Sequence, residues 1–135
     1  MIIIKSQREI NLMREAGRIV AQVFDELEKF IVPGVTTKQI SQKAEKIIRD
    51  AGAIPASKGY EGYPAAICTS VNDVIVHGIP NNKRLKEGDI VSCDVVATYQ
   101  GYNGDACRTF RVGKVSSETD RLVRVTKECL LEGLK

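Results

Sequence analysis

One carboxylate of this sequence lies where a carboxylate is costly. Asp94 falls inside the apolar run over residues 89–99 (DIVSCDVVATY), the strongest predicted strand of the chain. Aspartate is unfavourable in strands, and a buried carboxylate needs a partner or a metal ion to offset its lost hydration. Asp94 is therefore the first candidate for chemistry.

A second carboxylate, Asp105, opens a strand predicted over 105–112, which should form a β-hairpin with the strand that holds Asp94. If the hairpin loop is centred just after Tyr99, Asp105 lies directly opposite Asp94, about 5 Å away at Cβ. A loop centred one residue later places it diagonally opposite. Two carboxylates so close need a cation, supplied by Arg, Lys or a divalent metal. The alternative is a solvated turn residue, and the hairpin alone leaves both interpretations open.

The single histidine of the chain, His77, is a third candidate. It ends a short strand predicted over 74–77, just before the turn at Gly78, a position typical of the rim of a cleft. A lone histidine is more often a structural or surface residue than a ligand. Two carboxylates and one histidine also fall short of a two-metal hydrolytic centre, which uses about five protein ligands.

The elements that must position these residues follow from hydrophobic periodicity, capping residues and turn signals. Together they predict one mixed α/β (α+β) domain over residues 1–135. The predicted elements are a strand at 2–4, a helix from the capping box Ser6–Glu9 to just before Pro33, a helix from Thr36 to Gly52, a loop at 55–64, strands at 65–71, 74–77, 89–99 and 105–112, and a helix at 116–135 with Ser117 and Asp120 at its cap.

Composition describes an ordinary globular domain. Of 135 residues, 43% are hydrophobic and 27% charged, which argues against disorder. The net charge of +3 is spread without runs, so no specific nucleic-acid partner is expected. The four cysteines form no CxxC pair and predict reduced thiols in a cytoplasmic protein. No signal peptide and no membrane-spanning stretch is predicted, so no membrane partner is expected.

Five segments of the chain together resemble type I methionine aminopeptidase, in its short bacterial form. The resemblance covers nearly the whole chain, and the joint spacing of the segments is specific. The segments are GYEGYP at 59–64, ICTSVN at 67–72, VHGIP at 76–80, GDIVSCDV at 88–95 and GYNGD at 101–105.

The resemblance implies the pita-bread fold, in which two similar halves surround a dinuclear metal site, and residues 1–135 would be the N-terminal half. It implies removal of the initiator methionine from nascent polypeptides, with two divalent ions (cobalt, manganese, iron or zinc) as cofactors. It also implies roles for single residues. Asp94 and Asp105 would be metal ligands, His77 the catalytic substrate contact, and Tyr60, Tyr63, Cys68 and again His77 the substrate-binding residues.

The family takes its other metal ligands, one His and two Glu, from its second half. We therefore expect little or no activity from residues 1–135 alone. One alternative is a non-catalytic half-module that self-associates through the surface normally covered by that second half. Another is a ribosome-binding or RNA-binding module, which nothing in the motifs requires.

Overall fold

A computed structural model describes residues 2–135 as a four-stranded antiparallel sheet with two helices packed on one face and a third helix after the last strand. The central strand pairs with one long strand along one edge and with two short strands, end to end, along the other. The elements are α1 (Gln7–Phe30), α2 (Thr37–Asp50), β1 (Ile54–Pro55), a 3-10 turn (Tyr60–Gly62), β2 (Cys68–Val71), β3 (Ile90–Tyr99), β4 (Tyr102–Arg111) and α3 (Ser117–Gly133).

Capping boxes begin the first two helices, as predicted. The Ser6 backbone N–H donates to the Glu9 carboxylate at 2.7 Å, and the Ser6 hydroxyl accepts from the Glu9 N–H. Thr36 and Gln39 repeat the arrangement at the start of α2. The apolar faces of both helices then pack on the sheet and form the core. Their buried side chains include Val20, Val23, Phe24, Leu27, Ile40, Ala44 and Ile48.

A close approach fixes α1 against β4. A Cβ atom at Gly104 would lie 2.4 Å from the Ala16 carbonyl carbon, so only glycine fits where the helix crosses the strand. Gly17, one residue along the helix, has no atom within 4 Å of its own Cβ position. The helix therefore rests on the sheet at Gly104.

Two predicted strands are wrong. Residues 2–4 and 74–77 belong to no strand, and their Ile2, Ile4 and Ile75 side chains are largely exposed. Both runs are β-branched, but a strand exists only where a neighbouring strand accepts its hydrogen bonds, and neither run has one. Asn72, with φ of 54°, turns the chain away from the sheet after β2.

Smaller differences concern the ends of elements. β4 begins at Tyr102 rather than at Asp105, because the hairpin turn is tight and pairing starts at once. Pro55 lies in the two-residue β1 rather than in the loop, and β2 begins at Cys68 rather than at residue 65. Ser116, not Ser117, caps α3 by accepting from the Thr119 N–H at 3.1 Å.

The last helix has little contact with the rest of the described chain. No residue of α3 is buried, and its leucines Leu122, Leu130 and Leu131 are at least 50% exposed. An ion pair between Arg111 and Asp120, at 2.8 Å, ties its first turn to the end of β4. Within residues 2–135 no helix is both long enough and apolar enough to cross a membrane.

Candidate active site on the open face of the sheet

The candidate carboxylates lie on the face of the sheet that the helices leave open. Along β3 the side chains alternate, so that Val95 is buried in the core and Asp94 faces the other way, half-buried. Asp94 pairs with Cys68 on one side and with Cys107 on the other, while Asp105 pairs with Val96. Asp94 and Asp105 therefore share one face and are diagonal neighbours, as in the second of the two predicted registers.

The hairpin turn sets this register. Tyr99 pairs with Tyr102, which leaves Gln100 and Gly101 as a two-residue turn with φ values of 47° and 84°. Two positive φ values are typical of the type I′ turn, whose twist matches that of the strands. The turn is centred one residue later than direct pairing of the two aspartates requires.

The charges around Asp94 do not favour its ionised form. Burial raises the pKa of the Asp94 carboxyl, the neighbouring Asp105 raises it further, and His77 lowers it. The arginines of β4 are engaged elsewhere, since Arg111 pairs with Asp120 and Arg108 lies near two acidic side chains of α1. Within residues 2–135, neither Asp94 nor Asp105 forms an ion pair with a lysine or arginine, and the basic group that acts on Asp94 is His77.

Two thiols flank Asp94 in the same row. Burial raises the pKa of the Cys68 thiol, and the charge of Asp94 raises it too, while a hydrogen bond with Tyr63 lowers it. The pKa of Cys107 is raised by burial first, then by Asp94, Cys68 and Asp105. The charge of Asp94 therefore opposes ionisation of both thiols, and that of Asp105 opposes ionisation of Asp94 and Cys107, a condition that a bound cation relieves.

The two tyrosines predicted to line a substrate pocket differ from each other in their surroundings. The Tyr63 hydroxyl donates toward the Gly78 carbonyl at 3.0 Å, with the Ile67 carbonyl 3.3 Å away. Burial, followed by the hydrogen bond with Cys68, raises the pKa of Tyr63. Tyr60 lies in the 3-10 turn and is 69% exposed. The structure thus joins Tyr63 and Cys68 to the carboxylate cluster and leaves Tyr60 at the surface.

His77 reaches the same cluster from a loop. Its side chain is exposed, its φ is 57°, and its charge acts on Asp94. The residue that follows, Gly78, is bonded to β2, because the Thr69 N–H donates to the Gly78 carbonyl at 2.8 Å. His77 therefore stands at the rim of the cluster, although the predicted strand that should have carried it there does not exist.

The residues fit part of a divalent-metal site. Among residues 2–135, no three His, Cys, Asp or Glu side chains converge into a complete site. Asp94 and Asp105 nevertheless offer carboxylate oxygens, the donors that divalent ions such as manganese prefer, on one face and without a lysine or arginine partner in the described part of the chain. The donor set is that of a partial site.

Two residues of the cluster were not predicted from the sequence. Cys107 lies two positions after Asp105, so strand alternation was a sufficient signal for its place on the open face. Ser70, whose hydroxyl accepts from the Gly78 N–H at 3.1 Å, depends on how the loop after β2 folds back. No local sequence pattern predicts that hydrogen bond.

Most of the chain matches a known family of proteins. A profile of metallopeptidase family M24 matches residues 11–135. The chain is 50% identical to "Methionine aminopeptidase 1" of Bacillus subtilis over 135 residues, which are 100% of this chain and 54% of that protein. It therefore spans about half the length of the curated relatives it matches.

Solved structures agree with this match. Methionine aminopeptidase from Rickettsia prowazekii superposes with a TM-score of 0.96 at 40% identity, and the one from Thermotoga maritima with 0.95 at 47%. Each alignment covers 98% of this chain, and 54% and 53% of the two solved chains. The predicted fold class, half of a pita-bread fold built from helices and an antiparallel sheet, is confirmed, as is the resemblance drawn from the sequence.

Proposed function

Because this chain belongs to metallopeptidase family M24, we propose that it supplies part of the active site of a methionine aminopeptidase, which removes the initiator methionine from nascent polypeptides. The observation that carries the proposal is the pair Asp94 and Asp105, on one open face of the sheet, with His77 near Asp94 and no lysine or arginine ion pair among residues 2–135. Its similarity to named methionine aminopeptidases supports the substrate class.

The two carboxylates would hold two divalent ions, of cobalt, manganese, iron or zinc, together with ligands that are not among residues 1–135. Such ions, when bound, polarise a peptide carbonyl and activate water for hydrolysis. Asp94 and Asp105 would neutralise part of the positive charge of such ions. Since the set is incomplete, we expect residues 1–135 alone to bind metal weakly and to show little or no peptidase activity.

The other residues act on the substrate. His77, exposed at the rim, would donate a hydrogen bond to the oxygen of the peptide bond under attack, where negative charge develops. Cys68 and Tyr63 would line an apolar, sulfur-containing wall for the thioether side chain of methionine. Tyr60, at the surface, would contact the substrate only at the outer edge.

Calorimetric titration of residues 1–135 with Mn²⁺ tests the metal-binding part of the proposal. We expect weak binding that Asp94→Asn abolishes and that the control Asp25→Asn, an exposed residue of α1 near Arg108, leaves unchanged. Equal binding by wild type and Asp94→Asn would contradict the proposal. Assay on a Met-Ala-Ser peptide with Mn²⁺ or Co²⁺ tests the expected inactivity, and full-enzyme turnover would contradict it.

A second candidate function is that of a non-catalytic module that pairs with a second copy. It is favoured by α3, which has no buried residue and carries a mixed pattern of charges and leucines. If two α3 helices lie antiparallel with Arg121 beside Glu132 of the other copy, Glu118 also faces Lys135 and Leu122 faces Leu131. The helix is thus complementary to itself in charge and in apolar surface.

Sedimentation at several concentrations decides between these candidates. Pairing through α3 predicts a concentration-dependent dimer that Arg121→Glu dissociates and that the double change Arg121→Glu with Glu132→Arg restores. A monomer at all concentrations would exclude the second candidate and leave the first untouched.

A further inference from the structure

The backbone of Gly78 is fixed by three contacts. Its N–H donates to the Ser70 hydroxyl at 3.1 Å, and its carbonyl accepts from the Thr69 N–H at 2.8 Å and from the Tyr63 hydroxyl at 3.0 Å. Ser70 is 4% exposed, so its hydroxyl meets Gly78 away from competing water. The loop between β2 and Gly78 is therefore closed by specific hydrogen bonds to β2.

Steric fit reinforces these bonds. A Cβ atom at position 78 would lie 2.3 Å from the Thr69 carbonyl oxygen and 2.9 Å from the Ser70 Cα. Real side chains essentially never come so close to backbone atoms, so the loop touches the strand at a point that only glycine allows. The position of Gly78 on β2 is thus defined by both hydrogen bonding and shape.

The residue before it needs that support. His77 has a φ of 57°, in the left-handed region that costs an ordinary residue about 1 kcal/mol or more. Its side chain is exposed, and the preceding Val76 is 60% exposed, so packing on that side does not hold the conformation. A strained residue in such a place persists only if the neighbouring structure determines it.

We propose that Ser70 is a positioning residue for His77: its hydroxyl accepts the Gly78 N–H and thereby keeps the left-handed His77 at the rim of the Asp94 cluster. The inference rests on the proposed function, since it assigns Ser70 the task of orienting the imidazole that would meet the substrate. Ser70 itself faces the open side of β2, in register with Ser92, and acts through Gly78.

Because His77 is the one histidine of the sequence, selective ¹⁵N-histidine labelling gives a single backbone signal that needs no assignment. We compare wild type, Ser70→Ala, the conservative Ser70→Thr, and Ser92→Ala. Ser92 is the matched control, because it is the same residue type, sits opposite Ser70, and bonds Thr109 at 2.8 Å instead of the loop.

In Ser70→Ala we expect the His77 signal to move toward its random-coil position or to broaden. In a uniformly ¹⁵N-labelled sample, the Gly78 amide should exchange roughly fivefold to tenfold faster. Ser70→Thr should restore both readings toward wild type, because it keeps the hydroxyl acceptor. Ser92→Ala should leave both readings unchanged.

An unchanged His77 signal and an unchanged Gly78 exchange rate in Ser70→Ala would overturn the inference. So would equal changes in Ser70→Ala and Ser92→Ala, since these would report a general loosening of the sheet. If the proposed function is wrong, the experiments give a different result. In that case Mn²⁺ binding would no longer distinguish Asp94→Asn from wild type, while Ser70→Ala would still release His77.

Discussion

Asp94 and Asp105 stand on neighbouring antiparallel strands, one step apart diagonally, with Cys107 rather than Asp105 directly opposite Asp94. This offset places two carboxylates on one face while sparing them the closest cross-strand contact, in which like charges are most unfavourable. Burial, and after it the charge of Asp105, still raise the pKa of Asp94.

Asp94→Asn should stabilise the metal-free chain while weakening its metal binding. The change removes a half-buried charge beside Asp105 and keeps the side-chain volume. We therefore expect the free energy of unfolding to rise by about 1 kcal/mol, as is common when a functional residue that destabilises the fold is replaced. Urea unfolding with a chelator present measures it. A lower stability of Asp94→Asn than of wild type under these conditions would show that the carboxylate already has a partner.

Gly104→Ala should destabilise the fold by at least about 2 kcal/mol, because the added methyl group would meet the Ala16 backbone at 2.4 Å and push α1 off the sheet. Gly17→Ala is the matched control. Its methyl group meets no atom within 4 Å, and an alanine inside a helix should stabilise by up to about 1 kcal/mol. Thermal unfolding of both variants gives the comparison, and a shift of the same sign in both would refute the close contact.

Thr69→Val should stabilise the fold by about 1 kcal/mol. Thr69 is 4% exposed, and among residues 2–135 its hydroxyl oxygen is buried without a hydrogen-bond partner. Valine keeps the β-branched shape and removes the unsatisfied group. Thr109→Val is the comparison, since the Thr109 hydroxyl does have a partner in Ser92, and we expect it to be neutral or destabilising. Equal effects of the two substitutions on the denaturation midpoint would contradict this.

Asp89 should contribute to stability in a pH-dependent way. Burial raises its pKa, but hydrogen bonds from the Asn72 amide at 2.9 Å and the Lys86 N–H at 2.8 Å together hold the pKa below its usual value. A carboxyl whose folded pKa is lowered stabilises the fold fully above its unfolded pKa of about 3.9, and that contribution is lost as the pH falls through the folded pKa.

Asp89→Asn should therefore be less stable than wild type near pH 6, and the difference should shrink toward pH 3. Denaturant midpoints measured across that range check the sign. Asp73→Asn, an exposed aspartate of the same connection, is the control that removes a charge without those hydrogen bonds. A stability difference that grows as the pH falls would contradict the assignment.

Local signals predicted much of this fold. The capping box at Ser6 and Glu9 and the apolar periodicity of α1 and α2 depend on neighbours three or four residues apart, and the helices begin where those signals placed them. Asp94 could be identified from the sequence because an aspartate is unfavourable between apolar strand residues, and those residues are its neighbours in the chain. The diagonal arrangement of Asp94 and Asp105 was one of the two strand registers that the sequence predicted for this hairpin.

What could not be predicted depends on distant parts of the chain. The β-branched residues 2–4 and 74–77 favour strands locally, but whether a partner strand lies beside them is decided by the whole topology. The hydrogen bond from the Gly78 N–H to the Ser70 hydroxyl also depends on tertiary structure, and so does the close contact of Gly104 with the Ala16 backbone. Neither leaves a periodic signal in the sequence.

The most direct test of the central claim is an NMR titration of residues 1–135 with Mn²⁺, whose unpaired electrons broaden signals from nearby nuclei. We predict selective broadening around Asp94, Asp105 and His77, with the outer face of α2 unaffected, and its loss in the double variant Asp94→Asn with Asp105→Asn. Broadening that is uniform over the chain, or that persists in the double variant, would contradict a metal site on the open face of this sheet.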